Sequence, residues 1–240
     1  MISEISDIKH AYYINLEHRE DRRDHLIKQM ESLGLSDVTQ RFNAIKMKNG
    51  AIGCSISHLK LLEMAITENF PHILIVEDDI LFLDVELFKN QFKTALEEIN
   101  KATATVEEKA KEDCWDVILF SGNNVGQYRK IMDSNKKGNV VAIQVSRCQT
   151  TTGYLVNGPY IPILAQNVRA GVKKLMTEPK NTREWAIDQY WFHLQMRMDS
   201  RWFLIMPASV IQQPGYSDIE ERETNYTRVL LDVDKTWLKR

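Results

Sequence analysis

Cysteine is scarce in this chain. Three occur in 240 residues, Cys54, Cys114 and Cys148. The number is odd and their mutual spacing matches no metal-ligand pattern, which argues against a disulfide-stapled scaffold and for reduced thiols in a reducing compartment. Long apolar runs are also missing: none reaches the ~18–20 residues that cross a bilayer, so no membrane span is expected. Residues 1–10 are polar and lack the apolar core of a signal peptide. These absences together predict a cytoplasmic protein, in which the sequon Asn225-Tyr226-Thr227 is a chance match. Neither sign of charge dominates. With 31 Lys and Arg against 33 Asp and Glu the net charge is −2, which excludes a general nucleic-acid surface and confines any basic site to a local cluster. No internal repeat is found. What remains is an ordinary globular composition, 43% hydrophobic and 27% charged, in a chain long enough to bury a sizeable core.

The most informative stretch is His72-Ile73-Leu74-Ile75-Val76-Glu77-Asp78-Asp79-Ile80. β-Branched residues dominate its first half without polar alternation, the pattern of a strand buried on both faces. Such a strand cannot carry charge cheaply, so Glu77, Asp78 and Asp79 must lie where it emerges. Three adjacent acids repel one another unless a cation shares them, and hard divalent ions such as Mg²⁺ or Mn²⁺ select carboxylate oxygen. Ligands of open α/β sheets bind beyond the carboxyl ends of strands. The plainer alternative is an acidic turn or a helix N-terminus.

Along the chain, residues 11–16 read as a first strand, followed by a charged turn and a helix through Leu26, Ile27, Met30 and Leu33 that stops at Gly34. Arg19, Arg22 and Arg23 at that junction suit a phosphate, or equally a solvated face paired with Glu20 and Asp24. A short strand over 38–45 and a glycine-bearing loop over 48–54 come next. Ser55 or Ser57 would cap a buried helix over 57–69, where His58 is more often a satisfied core or cap residue. Helices are predicted over 87–99 and 161–175, and a helical extension or mobile connection over 100–113. Strands are predicted over 115–122, 140–146, 150–156 and 202–206, with surface loops over 123–139 and 211–219. A strongly apolar helix begins at Trp185. Within it Asp188 is a lone carboxylate, and a buried acid needs a partner, such as Arg183, or a task. Trp185, Tyr190 and Trp191 at that density are core before they are a sugar-stacking platform. Thr151 and Thr152 could bond sugar hydroxyls or be plain strand residues. Residues 220–240 form a charged tail.

Several segments, taken in order, resemble glycosyltransferase family 25, which includes lipooligosaccharide and collagen hydroxylysine galactosyltransferases. They are Tyr13-Ile14-Asn15-Leu16 with Arg19, Asp21, Arg22 and Arg23; Ile52-Gly53-Cys54-Ser55-Ile56-Ser57-His58-Leu59; the strand ending in Asp79; residues 115–122; Thr152-Gly153-Tyr154-Leu155; Asp188-Gln189-Tyr190; and Gln213 with Ser217-Asp218-Ile219. Ala51 departs from the acid that members often carry before the Ile-Gly-Cys run.

The resemblance implies an α/β, GT-A type (Rossmann-like) nucleotide-sugar transferase domain with a central mixed sheet, a single domain over 1–240 with its core at about 11–219. It implies an inverting hexosyltransferase that moves galactose or glucose from a UDP-sugar to a glycan or hydroxylysine-type acceptor. Asp188 would be the general base. Asn15, Leu16, Arg19, Arg22, Ser57, His58, Asp78 and Thr152 would line the donor side. Asp79 and Glu77 would hold Mn²⁺ or Mg²⁺ in a DXD-like role, and Asp218 would lie nearby. No nucleic-acid partner is implied, and membrane contact would come only through a glycolipid acceptor. Two rivals differ in class: another metal-dependent enzyme acting at the phosphorus of nucleotide sugars or phosphates, and a non-catalytic carbohydrate-binding module on the same scaffold.

Overall fold

In the computed structural model the described residues are 1–103 and 113–236. The elements run β1 (Ala11–Asn15), α1 (Glu20–Leu33), β2 (Thr39–Asn43), α2 (Gly50–Thr67), β3 (His72–Glu77), β4 (Ile80–Phe82), α3 (Val85–Thr103), β5 (Val117–Leu119), β6 (Asn123–Asn124), β7 (Tyr128–Met132), β8 (Val140–Val145), β9 (Cys148–Gln149), β10 (Gly153–Asn157) and α4 (Ile161–Thr177). Three single turns follow, α5 (Thr182–Trp185), α6 (Ile187–Tyr190) and α7 (Phe192–Gln195), then β11 (Trp202–Ile205), β12 (Val210–Gln212), β13 (Gly215–Ser217), β14 (Arg222–Thr224) and α8 (Thr227–Leu231).

Eight strands form one mixed sheet in the order β2-β1-β3-β10-β5-β11-β8-β7. β1 is parallel to β2 and β3, β5 is parallel to β11, and β10 runs antiparallel between β3 and β5. The expected α/β class and central mixed sheet are therefore present. β3 shows why its sequence has no alternation. Leu74 and Val76 enter the apolar layer shared with Leu26 and Met30 of α1 and Phe88 and Phe92 of α3. Ile73 and Ile75 enter the opposite layer, with Leu61 and Leu62 of α2 and Leu164 and Val168 of α4. Both faces are covered, so both must be apolar. Among the described residues no helix is long and apolar enough to cross a membrane.

Gly34 ends α1 as predicted, in the left-handed region at φ 79°, with its N–H on the Glu31 carbonyl. Other expectations need correction. α2 begins at Gly50, not near Ser57, because Asn49 accepts the Ala51 and Ile52 N–H groups and caps it. Neither Ser55 nor Ser57 is a cap. The apolar run from Trp185 is three short turns and not one helix. The loops expected over 123–139 and 211–219 contain β6, β7, β12 and β13: β7 and β13 pair with the next strands, β8 and β14, whereas β6 pairs with β9 and β12 with the distant β4. Asn100 to Thr103 extend α3, and the remainder of the connection expected up to residue 113 lies largely outside the described residues. The tail contributes β14, paired with β13, and α8, whose Leu230 is buried.

Candidate active site

The parallel strands β1, β3, β5 and β11 end on one edge of the sheet, and the antiparallel β10 begins there. That reversal sets residues 150–152 beside the exit of β3. α2 also starts on this edge, since it connects the end of β2 to the start of β3. It lies close because Gly53 has no side chain: a Cβ there would stand 2.3 Å from the Ile45 carbonyl oxygen.

Glu77, Asp78 and Asp79 leave β3 in different directions. Asp78 is buried; its Oδ2 accepts a 2.7 Å hydrogen bond from Asn15 Nδ2, and its Oδ1 accepts from Arg22 Nη1 at 3.0 Å. The same Arg22 nitrogen donates to Asp79 Oδ2 at 3.2 Å, while Nη2 donates to the Tyr216 carbonyl at 2.8 Å. Asp79 Oδ1 is buried and, among the described residues, has no hydrogen-bond partner. Burial, together with the charge of Glu77, pushes the Asp79 carboxyl up to about 7, against the pull of Arg22. Burial raises Asp78 too, opposed by Arg22 and Asn15.

Glu77 faces α2 and β10. Its Oε1 accepts from Thr151 Oγ1 at 2.8 Å and its Oε2 from Gln212 Nε2 at 3.3 Å. His58 Nε2 stands 3.6 Å and Cys54 Sγ 3.7 Å from Oε1. Burial would raise this carboxyl, but His58, Thr151 and Arg22 outweigh it and hold it below its usual value.

Asp188, in the first turn of α6, accepts the Thr150 N–H at 3.2 Å through Oδ2. Thr150 holds φ 78°, a left-handed conformation that costs a β-branched residue energy and is tolerated where the surroundings demand it. Burial raises the Asp188 carboxyl, against the Thr150 hydrogen bond and with added repulsion from Glu77. Among the described residues its partners are the Thr150 N–H and the Gln189 side chain, and not Arg183.

Asn15, Arg22, Glu77, Asp78 and Asp79 thus share one strand-end cluster. Arg19 joins at its margin, forked on Asp21 and bonded to Asp218, with Nη1 also 3.4 Å from the Tyr216 carbonyl. Leu16 is half-buried in the turn, its carbonyl accepting the Arg19 N–H. Ser57 points elsewhere: its Oγ accepts from Ile45 N and donates to the Gly53 carbonyl, tying α2 to the preceding segment. Thr152 is fully buried and touches Glu77 only through its carbonyl, which accepts the Glu77 N–H; the hydroxyl on Glu77 is that of Thr151. Trp191 is core, with Nε1 on the Cys148 carbonyl, whereas Trp185 and Tyr190 are half-buried under Lys174. Sequence reasoning did not attach Cys54, Tyr154 or Gln212 to the cluster. The Cys54-x-x-x-His58 spacing was a readable sign, because residues four apart share a helix face. A cavity of about 400 Å³ at the opposite end of the strands is lined by Asp116, Tyr160 and Arg201 among others, but there Arg201 is forked on Asp116 in a closed ion pair.

Residues 46–170, just over half the chain, match the family model described as glycosyltransferase family 25 (LPS biosynthesis protein). The match takes in Cys54, His58, the three acids and Thr150 to Thr152, and leaves out Arg22 and Asp188. A glycosyltransferase 25 family member from Aedes aegypti is 26% identical over 94% of this chain and 40% of its own length. One from Anopheles gambiae is 24% identical over 89% and 39%. The chain therefore spans about two fifths of the length of these curated relatives. Among solved structures, mannose-1-phosphate geranyltransferase from Thermus thermophilus overlaps 82% of this chain and 74% of its own at 10% identity and a TM-score of 0.39. A197 from STIV overlaps 90% and 93% at 14% identity and a TM-score of 0.40. Overlaps this loose carry no argument about the site.

Proposed function

We propose that this chain, which belongs to glycosyltransferase family 25, moves a hexose, galactose or glucose, from a UDP-sugar to a hydroxyl of a glycan or hydroxylysine-type acceptor, with inversion at the anomeric carbon. The observation that carries the reading is Asp79: a carboxylate at the end of a central strand, beside two other acids, with a buried oxygen that no donor among the described residues satisfies. A hard divalent cation, Mn²⁺ or Mg²⁺, fits there, because it supplies what that oxygen lacks and relieves the repulsion that raises Asp79. Asp79 would hold it. Glu77 is a weaker ligand for it, since its Oε1 faces His58 and Cys54 on α2 and not Asp79. A cation in this position supplies positive charge against the departing nucleoside diphosphate.

The chain's own groups do the rest. Asn15 and Arg22 orient Asp78 and Asp79, and Arg22 has guanidinium hydrogens suited to phosphate oxygen. Asp188, held by the Thr150 N–H, takes the proton of the acceptor hydroxyl as its oxygen bonds to the anomeric carbon. The bond from that carbon to the donor phosphate breaks, and its electron pair leaves with the diphosphate. Cytoplasmic action, with any membrane contact made through a glycolipid acceptor, belongs to the same proposal.

The test is thermal shift and turnover with UDP-galactose, UDP-glucose, UDP-N-acetylglucosamine and a GDP-sugar, each in Mn²⁺ and in EDTA. The expected result is metal-dependent stabilisation by one UDP-hexose, with nucleoside diphosphate and glycosylated acceptor as products. Release of monophosphate or pyrophosphate would mean chemistry at phosphorus. If no nucleotide sugar binds with metal present, the chain does not transfer sugar.

A further inference from the structure

Cys54 and His58 have no role in the transfer just described, and both lie against Glu77, the weaker ligand of the hard cation. Among the described residues these three form the group of His, Cys, Asp or Glu side chains whose ligand atoms lie within 4.8 Å of one another. We propose that Cys54 Sγ, His58 Nε2 and Glu77 Oε1 are the protein ligands of a second metal site, selective for a soft divalent cation of the zinc class and separate from the hard-cation position at Asp79.

Three features support it. First, His58 is completely buried, and among the described residues its Nε2 has no hydrogen-bond partner. The 3.6 Å to Glu77 Oε1 is too long for a hydrogen bond. It is close to the separation of nitrogen and oxygen ligands across a tetrahedral zinc, about 3.4 Å from ordinary bond lengths. The 3.7 Å from Cys54 Sγ to the same oxygen compares with about 3.6 Å for sulfur and oxygen ligands. Second, the outer contacts are those a metal site needs. His58 Nδ1 lies 2.8 Å from the Tyr154 hydroxyl; with the proton on Nδ1 it donates there and leaves the Nε2 lone pair directed at the cluster. Thr151 fixes the Glu77 carboxylate at 2.8 Å. Third, the donor set is thiolate, imidazole and one carboxylate, which favours zinc over magnesium or manganese. Three protein ligands leave a fourth position for a further ligand.

The test uses the whole chain, purified without a histidine tag, stripped with EDTA and titrated with Zn²⁺ alone or Co²⁺ alone. No donor or acceptor is present, so the outcome is independent of glycosyl transfer. We expect one equivalent of zinc to survive desalting and cobalt to show a thiolate-to-metal charge-transfer band in the near ultraviolet. Cys54→Ala removes the band and the retained equivalent, whereas Asp79→Asn keeps both. Because His58→Ala removes a fully buried side chain, Tyr154→Phe serves as the milder probe and weakens zinc binding about tenfold or more through the loss of its hydrogen bond. Absence of the cobalt band in the wild type, or zinc retention unchanged in Cys54→Ala, would overturn the site. Loss of zinc in Asp79→Asn would overturn its separateness.

Discussion

The two ends of β3 handle buried polar groups in opposite ways. At the start, His72 is buried, and its Nε2 accepts the Lys9 N–H at 2.8 Å. Burial, with the nearby His10, lowers its pKa to about 4, so it stays neutral and its contact is closed. At the other end of this apolar strand, Asp79 Oδ1 and His58 Nε2 are buried without hydrogen-bond partners among the described residues. Unpaired buried groups are expensive, and native structures rarely keep them without a use. The difference separates a polar group that completes the fold from polar groups held ready for something the polypeptide does not itself supply.

Changes at the strand exit should therefore cost chemistry, and changes at its start should cost stability. The largest expected effect is at Asp188. Asp188→Asn removes the proton acceptor but keeps the side-chain shape and an oxygen for the Thr150 N–H, so turnover should fall about 10²–10⁴-fold with donor binding intact. Near-normal turnover would remove Asp188 from the reaction. Asp79→Asn comes next: transfer should drop about 100-fold, or ~2.7 kcal/mol of barrier, and donor binding should lose its response to Mn²⁺ in thermal shift. A variant that still responds to Mn²⁺ would show that the cation sits elsewhere. The effect at His72 leaves turnover alone, falls on stability and depends on pH. The folded chain keeps His72 neutral down to about 4, whereas an unfolded imidazole protonates near 6.5. The unfolded state therefore binds more protons in that window, and stability is lost as pH falls from about 6.5 to about 4, on the order of 2–3 kcal/mol from this group. His72→Gln, which retains an acceptor for Lys9, should flatten that slope in urea melts while leaving turnover at pH 7 unchanged. An unaltered slope would mean that other groups govern acid sensitivity.

Much of the frame was legible because single segments carried it. The apolar run from Ile73 to Val76 announced a strand covered on both faces, the acids after it announced the exit, and Gly34 announced the end of α1. What was not legible depended on partners distant in sequence. Asn49 outcompetes Ser55 and Ser57 as the α2 cap, because the close packing of Gly53 on Ile45 starts that helix early. Thr151, and not Thr152, reaches Glu77 because of where the reversed β10 begins, 74 residues later in the chain. The division of labour among the three acids was also hidden. Their adjacency suggested one shared site, but β3 ends at Glu77, which faces α2, while Asp78 and Asp79 lie in the turn to β4 and meet Arg22.

The placement of β10 between β3 and β5 also bears on how the chain is made. From the moment β3 has formed until residue 157 is available to pair, one whole edge of a strand that is apolar on both faces is bare. A nascent chain halted in that interval presents a template for pairing with its neighbours. Synthesis that pauses between α3 and β10 should therefore yield aggregate, and the interval is safest when it is crossed quickly or under the cover of a chaperone.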